Sequence, residues 1–458
     1  MSVSTIEQAV SHAKIGVYRR AYIKRRDAVT GAFETDWLEV TSDVKKWGTV
    51  KINADSERLG TITLDGIRLT FQNDEGKYNP DTDENSLWSG YMNQQRTLVK
   101  IHTGLQYDTQ ASTLIWNRRQ FPGDAQWDQG QWDRDAWDGS DQLFTGIVSG
   151  EISLSDNNEV TIQVKPLTQV FLDYPAAALT GLTTTISASG FITLLRDQTD
   201  GSGGFIFRPF FGNTTTYWDV SATSNIYADL STSTANDVRD STVWEIVEKL
   251  AEAENFSAYV DQQGTFHFVP KTADATVSFE FHGLGSFDST YGHTIKQIQR
   301  FGQDFSKYYS RVQIQYRQDD TSTSFVSTSA SLSVSGTNTP WALGAKTLDI
   351  QNFWIADNTA ASAIAAALFT EYSQLKDIIE FTTSFIPHLS ILDRISVSYD
   401  STTRALGETI WDSNDWDTEL TWDYSTGDAI RLDDEEFKFL SMEINLDTFE
   451  CKFRAREI

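Results

Sequence analysis

Two stretches of the chain place tryptophan beside aspartate at short spacing. Residues 126–139 read QWDQGQWDRDAWDG, with Trp127, Trp132 and Trp137 five apart and each followed by Asp. Residues 410–427 read IWDSNDWDTELTWDYSTG, with Trp411, Trp416 and Trp422. Three chemistries use such residues. A row of exposed indoles stacks on sugar rings. A cluster of carboxylates, here Asp128, Asp133, Asp135, Asp138 and Asp141, offers oxygen ligands to calcium. A loop of tight turns can instead pack its indoles on a neighbouring surface while the carboxylates face water. The calcium reading is weak, because the spacing misses the alternating Asp loop with its closing Glu. A period of five matches neither a helix nor a strand. It suits successive turns, with Gly130 and Gly139 as turn residues and Asp side chains bonding the local backbone. Trp also anchors interfaces, giving a large buried area for little rotamer entropy.

Other catalytic patterns are absent from the sequence. The six histidines, His12, His102, His267, His282, His293 and His388, are scattered and form no pair at zinc-binding spacing. The 64 acidic residues make any glycosidase-like carboxylate pair uninformative. The glycines at 201–204 and 283–285 fit neither a nucleophile elbow nor a phosphate loop. The single cysteine, Cys451, excludes an intrachain disulfide. Strand alternation puts it on one face with Phe449 and Phe453, as a buried structural thiol. Asp393-Arg394 suggests a turn leading into a strand, or an ion pair between subunits. The expectation is a protein with no enzymatic activity, metal or cofactor.

Residues of this kind need a scaffold, and the rest of the chain supplies mainly strands. Alternating apolar and polar residues mark 60–72, 97–104, 143–167 and 311–317, with turns such as Asn73-Asp74-Glu75-Gly76 between them. Two segments are helical by period. Residues 241–256 offer Ser241 or Thr242 as cap, with Val243, Ile246, Val247 and Leu250 on one face. Residues 357–376 open on Asp357 and align Ile364, Leu368, Tyr372 and Leu375. The Ser, Thr and Gly-rich stretch 180–234 predicts irregular β structure. The fold class is mainly β with a few helices, an α+β chain.

The 458 residues allow several domains, and 39% hydrophobic content supports real cores. A net charge of −27 disfavours gripping phosphates, although an acidic wall suits a passage through which DNA slides. No run reaches the roughly 18 apolar residues of a membrane helix, and the N-terminus lacks a signal-peptide core, so no stable membrane insertion is expected.

An internal repeat organises these elements. Residues 99–116, VKIHTGLQYDTQASTLIW, correspond to 395–411, ISVSYDSTTRALGETIW. Each leads into a Trp-Asp block, and each block is followed by a strand pair, at 144–164 and 437–453. Ile152 and Leu154 align there with Ile444 and Leu446. Strand, strand, Trp-Asp block, strand, strand thus occurs twice, as two copies of one β-barrel would require.

These stretches resemble the central hub proteins of phage tail tips and baseplates. LGTITLDGIRLTFQNDEGKYNP and LFTGIVSGEISLSDNNEVTIQV resemble the first barrel of that family. TVWEIVEKLAEAENFSAYVDQQGTFHFVP, with its Asp261–Gly264 turn, resembles the helix-plus-hairpin unit between barrels. YYSRVQIQYR and residues 349–400 resemble the second barrel. The resemblance implies two tail-tube-like β-barrels separated by smaller inserted domains: 1–172 with a Trp-Asp loop, an intermediate 173–300, and 301–458 with the other loop. It also implies a homotrimer, since three chains of two barrels imitate six-fold symmetry. Its partners would be a tail tube or distal tail ring above, a spike, fibre or tip protein below, and the tape-measure protein. The work would be to cap or extend the tube and gate DNA passage into the host, without specific DNA binding, from a virion assembled in the host cytoplasm. Trp127, Trp132, Trp137, Trp411, Trp416 and Trp422 are the interface candidates. The alternatives are a receptor- or carbohydrate-binding tail protein and a tail-associated cell-wall hydrolase.

Overall fold

The computed structural model describes residues 16–54, 62–79, 86–89, 91, 97–106, 141–150, 152–155, 157–180, 185–200, 203–212, 217–223, 226–228, 241–271, 276–283, 294–317, 325–331, 346–352, 354–355, 357–391, 393–400 and 430–458. Its strands in the first half are β1 (Gly16–Lys24), β2 (Leu38–Glu39), β3 (Val44–Lys46), β4 (Thr49–Asn53), β5 (Thr63–Leu64), β6 (Ile67–Gln72), β7 (Leu98–Gln106), β8 (Asp141–Val148), β9 (Ser153–Ser155), β10 (Glu159–Pro166), β11 (Thr185–Ser187), β12 (Trp218–Val220) and β13 (Ile226–Ala228). There follow β14 (Phe256–Val260), β15 (Phe266–Pro270), β16 (Val277–His282), β17 (Ile295–Gln303), β18 (Arg311–Arg317), β19 (Phe325–Ser331), β20 (Thr347–Gln351), β21 (Asp377–Ser384), β22 (Arg394–Asp400), β23 (Arg431–Asn445) and β24 (Glu450–Glu457). The described α-helices are α1 (Thr168–Leu172), α2 (Ala188–Asp197), α3 (Arg208–Phe211), α4 (Val243–Glu254) and α5 (Asn358–Tyr372).

Among the described residues, two eight-stranded sheets dominate, and both are curled. The first runs β2-β1-β7-β8-β10-β6-β3, with β9 on β10. Its end strands, β2 and β3, follow one another in sequence. Val40 N–H donates to Ala21 of β1, while Val44 pairs with Phe71 of β6, so residues 38–46 reach from one end of the sheet to the other. Alternation sets the inner face: Val160, Ile162 and Val164 of β10 are buried, as are Leu69 and Phe71 of β6.

The second sheet runs β16-β22-β23-β24-β21-β17, with β4 on β23 and β5 on β4. Register shifts interrupt the β16–β22, β17–β21, β22–β23 and β23–β24 pairs. Such bulges add local twist and bend the sheet. At one corner Thr294 N–H donates 2.9 Å to the His282 carbonyl, drawing the ends of the path together. Apolar side chains from the two sheets form one continuous core, from Phe71 and Phe144 to Phe281, Phe381 and Phe453.

Strand order confirms the repeat as a topological one. In the first sheet β6, β7, β8 and β10 lie in the spatial order β7-β8-β10-β6; in the second β21, β22, β23 and β24 lie in the order β22-β23-β24-β21. In each, three strands meander and the first returns beside the fourth, a Greek-key arrangement. The bulges recur as well. Between Val148 and Ser153 the first sheet carries extra residues opposite β10, and β23 carries Leu440 in the matching place opposite β24. Pairing corrects the sequence alignment by two residues. The last pairs before the turn are Ser155–Glu159 and Asn445–Glu450, so Leu154 corresponds to Ile444 rather than to Leu446.

A second apolar core lies under the smaller units. Phe171 of α1 is its centre, with Phe207 and Phe211 rings at 4.9 Å and Phe266 at 5.6 Å. Helix α4 has Thr242 as its cap in a reciprocal capping box with Glu245, and it buries Val243, Ile246, Val247 and Leu250 as its period predicts. Helix α5 is capped by Asp357 and buries Ile364, Leu368 and Tyr372, but it ends before Leu375.

Two expectations are corrected. Residues 180–234 are not purely irregular β: they contain α2, whose Ser187 accepts from Gly190 N–H and whose Phe191, Ile192 and Leu195 are buried. The Ser-rich flanks conceal that apolar stripe. Residues 311–317 and 349–372 do not join the second large sheet. They build a separate unit, the β19-β18-β20 sheet with α5, set between the paired strands β17 and β21. Strands β4, β5 and β16 all belong to the second sheet.

Candidate assembly interface

The fold puts both Trp-Asp blocks at the same topological position. Strands β7 and β8 pair antiparallel, and the chain between them, 107–140, carries the first block. Strands β22 and β23 pair antiparallel, and the chain between them, 401–429, carries the second. Each block therefore extends the same hairpin of the same four-strand unit. Trp127, Trp132, Trp137, Trp411, Trp416 and Trp422 themselves lie outside the described residues, as do Asp128, Asp133, Asp135 and Asp138.

Between the sheets, the chain makes a crossing that the sequence did not suggest. After β3 in the first sheet it turns at Gly48 and enters the second sheet as β4. Gly48 has φ +71°, and a Cβ there would lie 2.8 Å from the Arg68 carbonyl, so glycine is required. Strand β4 pairs with the second part of β23, Ser441–Asn53 through Asn445–Thr49. Val50 sits opposite Ile444, and both are fully buried. Lys51 and Glu443, also opposite, are 3.1 Å apart at the surface. Asp447 fixes the crossing: its carboxylate accepts from Trp47 N–H at 3.0 Å and Gly48 N–H at 3.1 Å. The Arg19 guanidinium lies 4.8 Å from the Trp47 ring and 4.8 Å from the Phe449 ring, and it donates to the Leu446 carbonyl. Burial lowers the Arg19 pKa and nearby Asp447 partly offsets it. Phe449 is in the left-handed turn before β24, with φ +56°, so it does not share a strand face with Cys451 as alternation suggested.

A second polar centre joins three units. Glu371 of α5 meets Lys271, which follows β15, at 3.3 Å and Lys438 of β23 at 2.9 Å. Burial alone would raise its pKa, but Lys271, Lys438 and Arg456 together bring it down to about 2. His267 stands between Asp219 and Asp261, with both ring nitrogens 2.9 Å from a carboxylate oxygen. Burial works against its charged form, and the two carboxylates outweigh burial and raise its pKa. These arrangements brace the hairpin and the parallel strand β12, and neither presents an activated nucleophile.

The remaining sequence candidates fall into place. Cys451 is fully buried beside Ile386, and burial pushes its thiol up to about 12, which keeps it unreactive. Asp393 accepts from Ser390 N–H at 2.7 Å in the turn that leads into β22, and Arg394 pairs with Glu436 of the same chain. Both ring nitrogens of His388 are enclosed against Phe279, and burial lowers its pKa to about 4. Among the described residues no group of three or more His, Cys, Asp or Glu is placed to hold a metal ion. Among them, too, no helix is long and apolar enough to cross a membrane.

No family model matches the chain, and no curated protein does. Solved structures do. The chain is similar to the 43 kDa tail protein of prophage MuSo2 from Shewanella oneidensis, with 12% identity, 96% of this chain and 98% of that one covered, and a TM-score of 0.47. It is similar to a tail protein from Neisseria meningitidis MC58, with 9% identity, 96% of each chain covered and a TM-score of 0.49. It is also similar to the prophage tail protein gp18 from Listeria monocytogenes EGD-e, with 9% identity, 95% and 94% covered, and a TM-score of 0.46. All three are tail proteins by name, and two of them are prophage proteins.

Proposed function

We propose that the chain is a structural protein of a phage tail, the hub at its tip. The observation that carries this reading is the duplication: one four-strand order occurs twice around one continuous core, with the same hairpin lengthened in both copies. A chain with two like units can form a ring of three copies that presents six like units, which matches a six-fold tube. The hub caps or extends that tube, joins it to a spike or fibre, and opens a path for DNA at the host. Its work is assembly, driven by buried interface area. The Trp residues of the two blocks are the anchors, because a device repeated at equivalent hairpins suits contacts made at every unit of a ring. The net charge of −27 keeps the passage from holding DNA.

Mass and symmetry test the reading together. Light scattering of the purified chain is expected to give three copies, and electron-microscope class averages a ring with six similar lobes. A stable monomer at micromolar concentration overturns the reading. A glycan array tests the sugar-binding alternative: specific binding lost on Trp132→Ala would replace the hub reading by receptor recognition.

A further inference from the structure

The two sheets differ at one matched position, beside the strand that follows the bulge. In the second sheet that strand is the end of β23, and its outer edge is occupied by β4, which arrives from the first half of the chain. In the first sheet it is β9. Among the described residues β9 pairs with β10 and with no other strand. Its three residues are exposed, and Leu154 is 58% exposed where its counterpart Ile444 is 0%. The same backbone position, with an apolar residue in both copies, is sealed in one and open in the other.

We infer that the open edge of β9 receives a strand from a second copy of this chain. The inference rests on the ring reading. Within one chain the second sheet has the first as its neighbour, and that neighbour donates β4. In a closed ring the first sheet has the adjacent copy as its other neighbour. Like units in like surroundings then call for a donated strand at β9 as well. Main-chain groups along an unpaired edge supply the affinity, and Leu154 supplies an apolar contact in the place where Ile444 meets Val50. A ring sealed this way alternates a strand given within the chain with one given between chains.

The test uses the full chain. Leu154→Lys puts a charge on a residue exposed in the single chain, so the fold is expected to persist, with an unchanged melting temperature below the assembly concentration. The variant should require at least about tenfold higher concentration to form the ring. In a second variant, Ser155→Cys, maleimide labelling should be about tenfold slower in the ring than in the diluted monomer. Buried Cys451 gives little background. If Leu154→Lys forms rings like the parent, or if Ser155→Cys labels equally fast in ring and monomer, the β9 edge is free and this inference falls while the ring reading stands. A parent chain that stays monomeric overturns both.

Discussion

The two large sheets share a strand order but are completed in different ways. The first is curled by its own short stretch 38–46, which reaches from β1 to β6. The second is completed by a strand borrowed from the first, held by Asp447, Arg19 and the turn at Gly48. Duplication fixes the order of strands; it leaves open where the last strand of each unit comes from. That freedom lets two similar units join into one body, since a strand that leaves one sheet for the other welds them with main-chain bonds.

Breaking the weld is expected to give the largest effect. Val50→Asp places a carboxylate on β4 opposite Ile444 in the dry core. It should cost about 4 kcal/mol or more and lower the denaturation midpoint strongly, or prevent folding. Leu154→Asp, at the first-sheet counterpart of Ile444, should change the stability of the isolated chain by less than about 0.5 kcal/mol. Equal losses at the two positions, measured by chemical denaturation, would show that the sheets are completed alike.

The next effect separates the sheets by pH. His388 packs against β16 of the second sheet, and its pKa falls from 6.5 to about 4 on folding. The unfolded chain takes up this proton as the pH drops through 6.5, whereas the folded chain resists it until about 4. Stability is therefore lost across that window, by up to about 3 kcal/mol. His388→Leu should flatten the loss in denaturation curves recorded between pH 7 and 4. His267, whose pKa is raised, runs in the opposite sense: its contribution is full at low pH and fades as the pH rises through its folded pKa.

Smaller again is the removal of one fastening. Asp447→Ala deprives Trp47 and Gly48 of their acceptor and should cost about 1–3 kcal/mol. Asp447→Asn, which retains one acceptor oxygen, should recover part of this. If both variants melt like the parent, the crossing is secured by β4 pairing alone.

The parts of this architecture written in local sequence were legible. The alternation of β10, the cap of α4, read as Ser241 or Thr242, and the stripe of α5 are set within a few residues of themselves. The repeat was legible through its hairpins, because β7 to β10 and β22 to β24 are continuous stretches. The destination of β4 was not. Residues 49–53 alternate like any half-buried strand, and nothing local distinguishes pairing with β6 nearby from pairing with Ser441–Asn445. The separate β18–β20 unit was missed for the same reason, since strand character does not name a sheet. Of the candidate interface, sequence located both Trp-Asp blocks, while their equivalence as extensions of one hairpin needed the strand order.

The crossing also sets a schedule for biosynthesis. Trp47 and Asp447 are 400 residues apart, so β4 leaves the ribosome long before the strand that will cover it. During that interval Val50 lacks Ile444, its cross-strand partner in the finished fold, and contacts of such long range form slowly. Until β23 emerges, a nascent chain carries an uncovered apolar edge of the kind that chaperones bind and that mispairs between chains. A chain terminated early, anywhere before Ser441, would never bury it. Completion of the second sheet therefore waits for Ser441–Asn445, which only then receive β4.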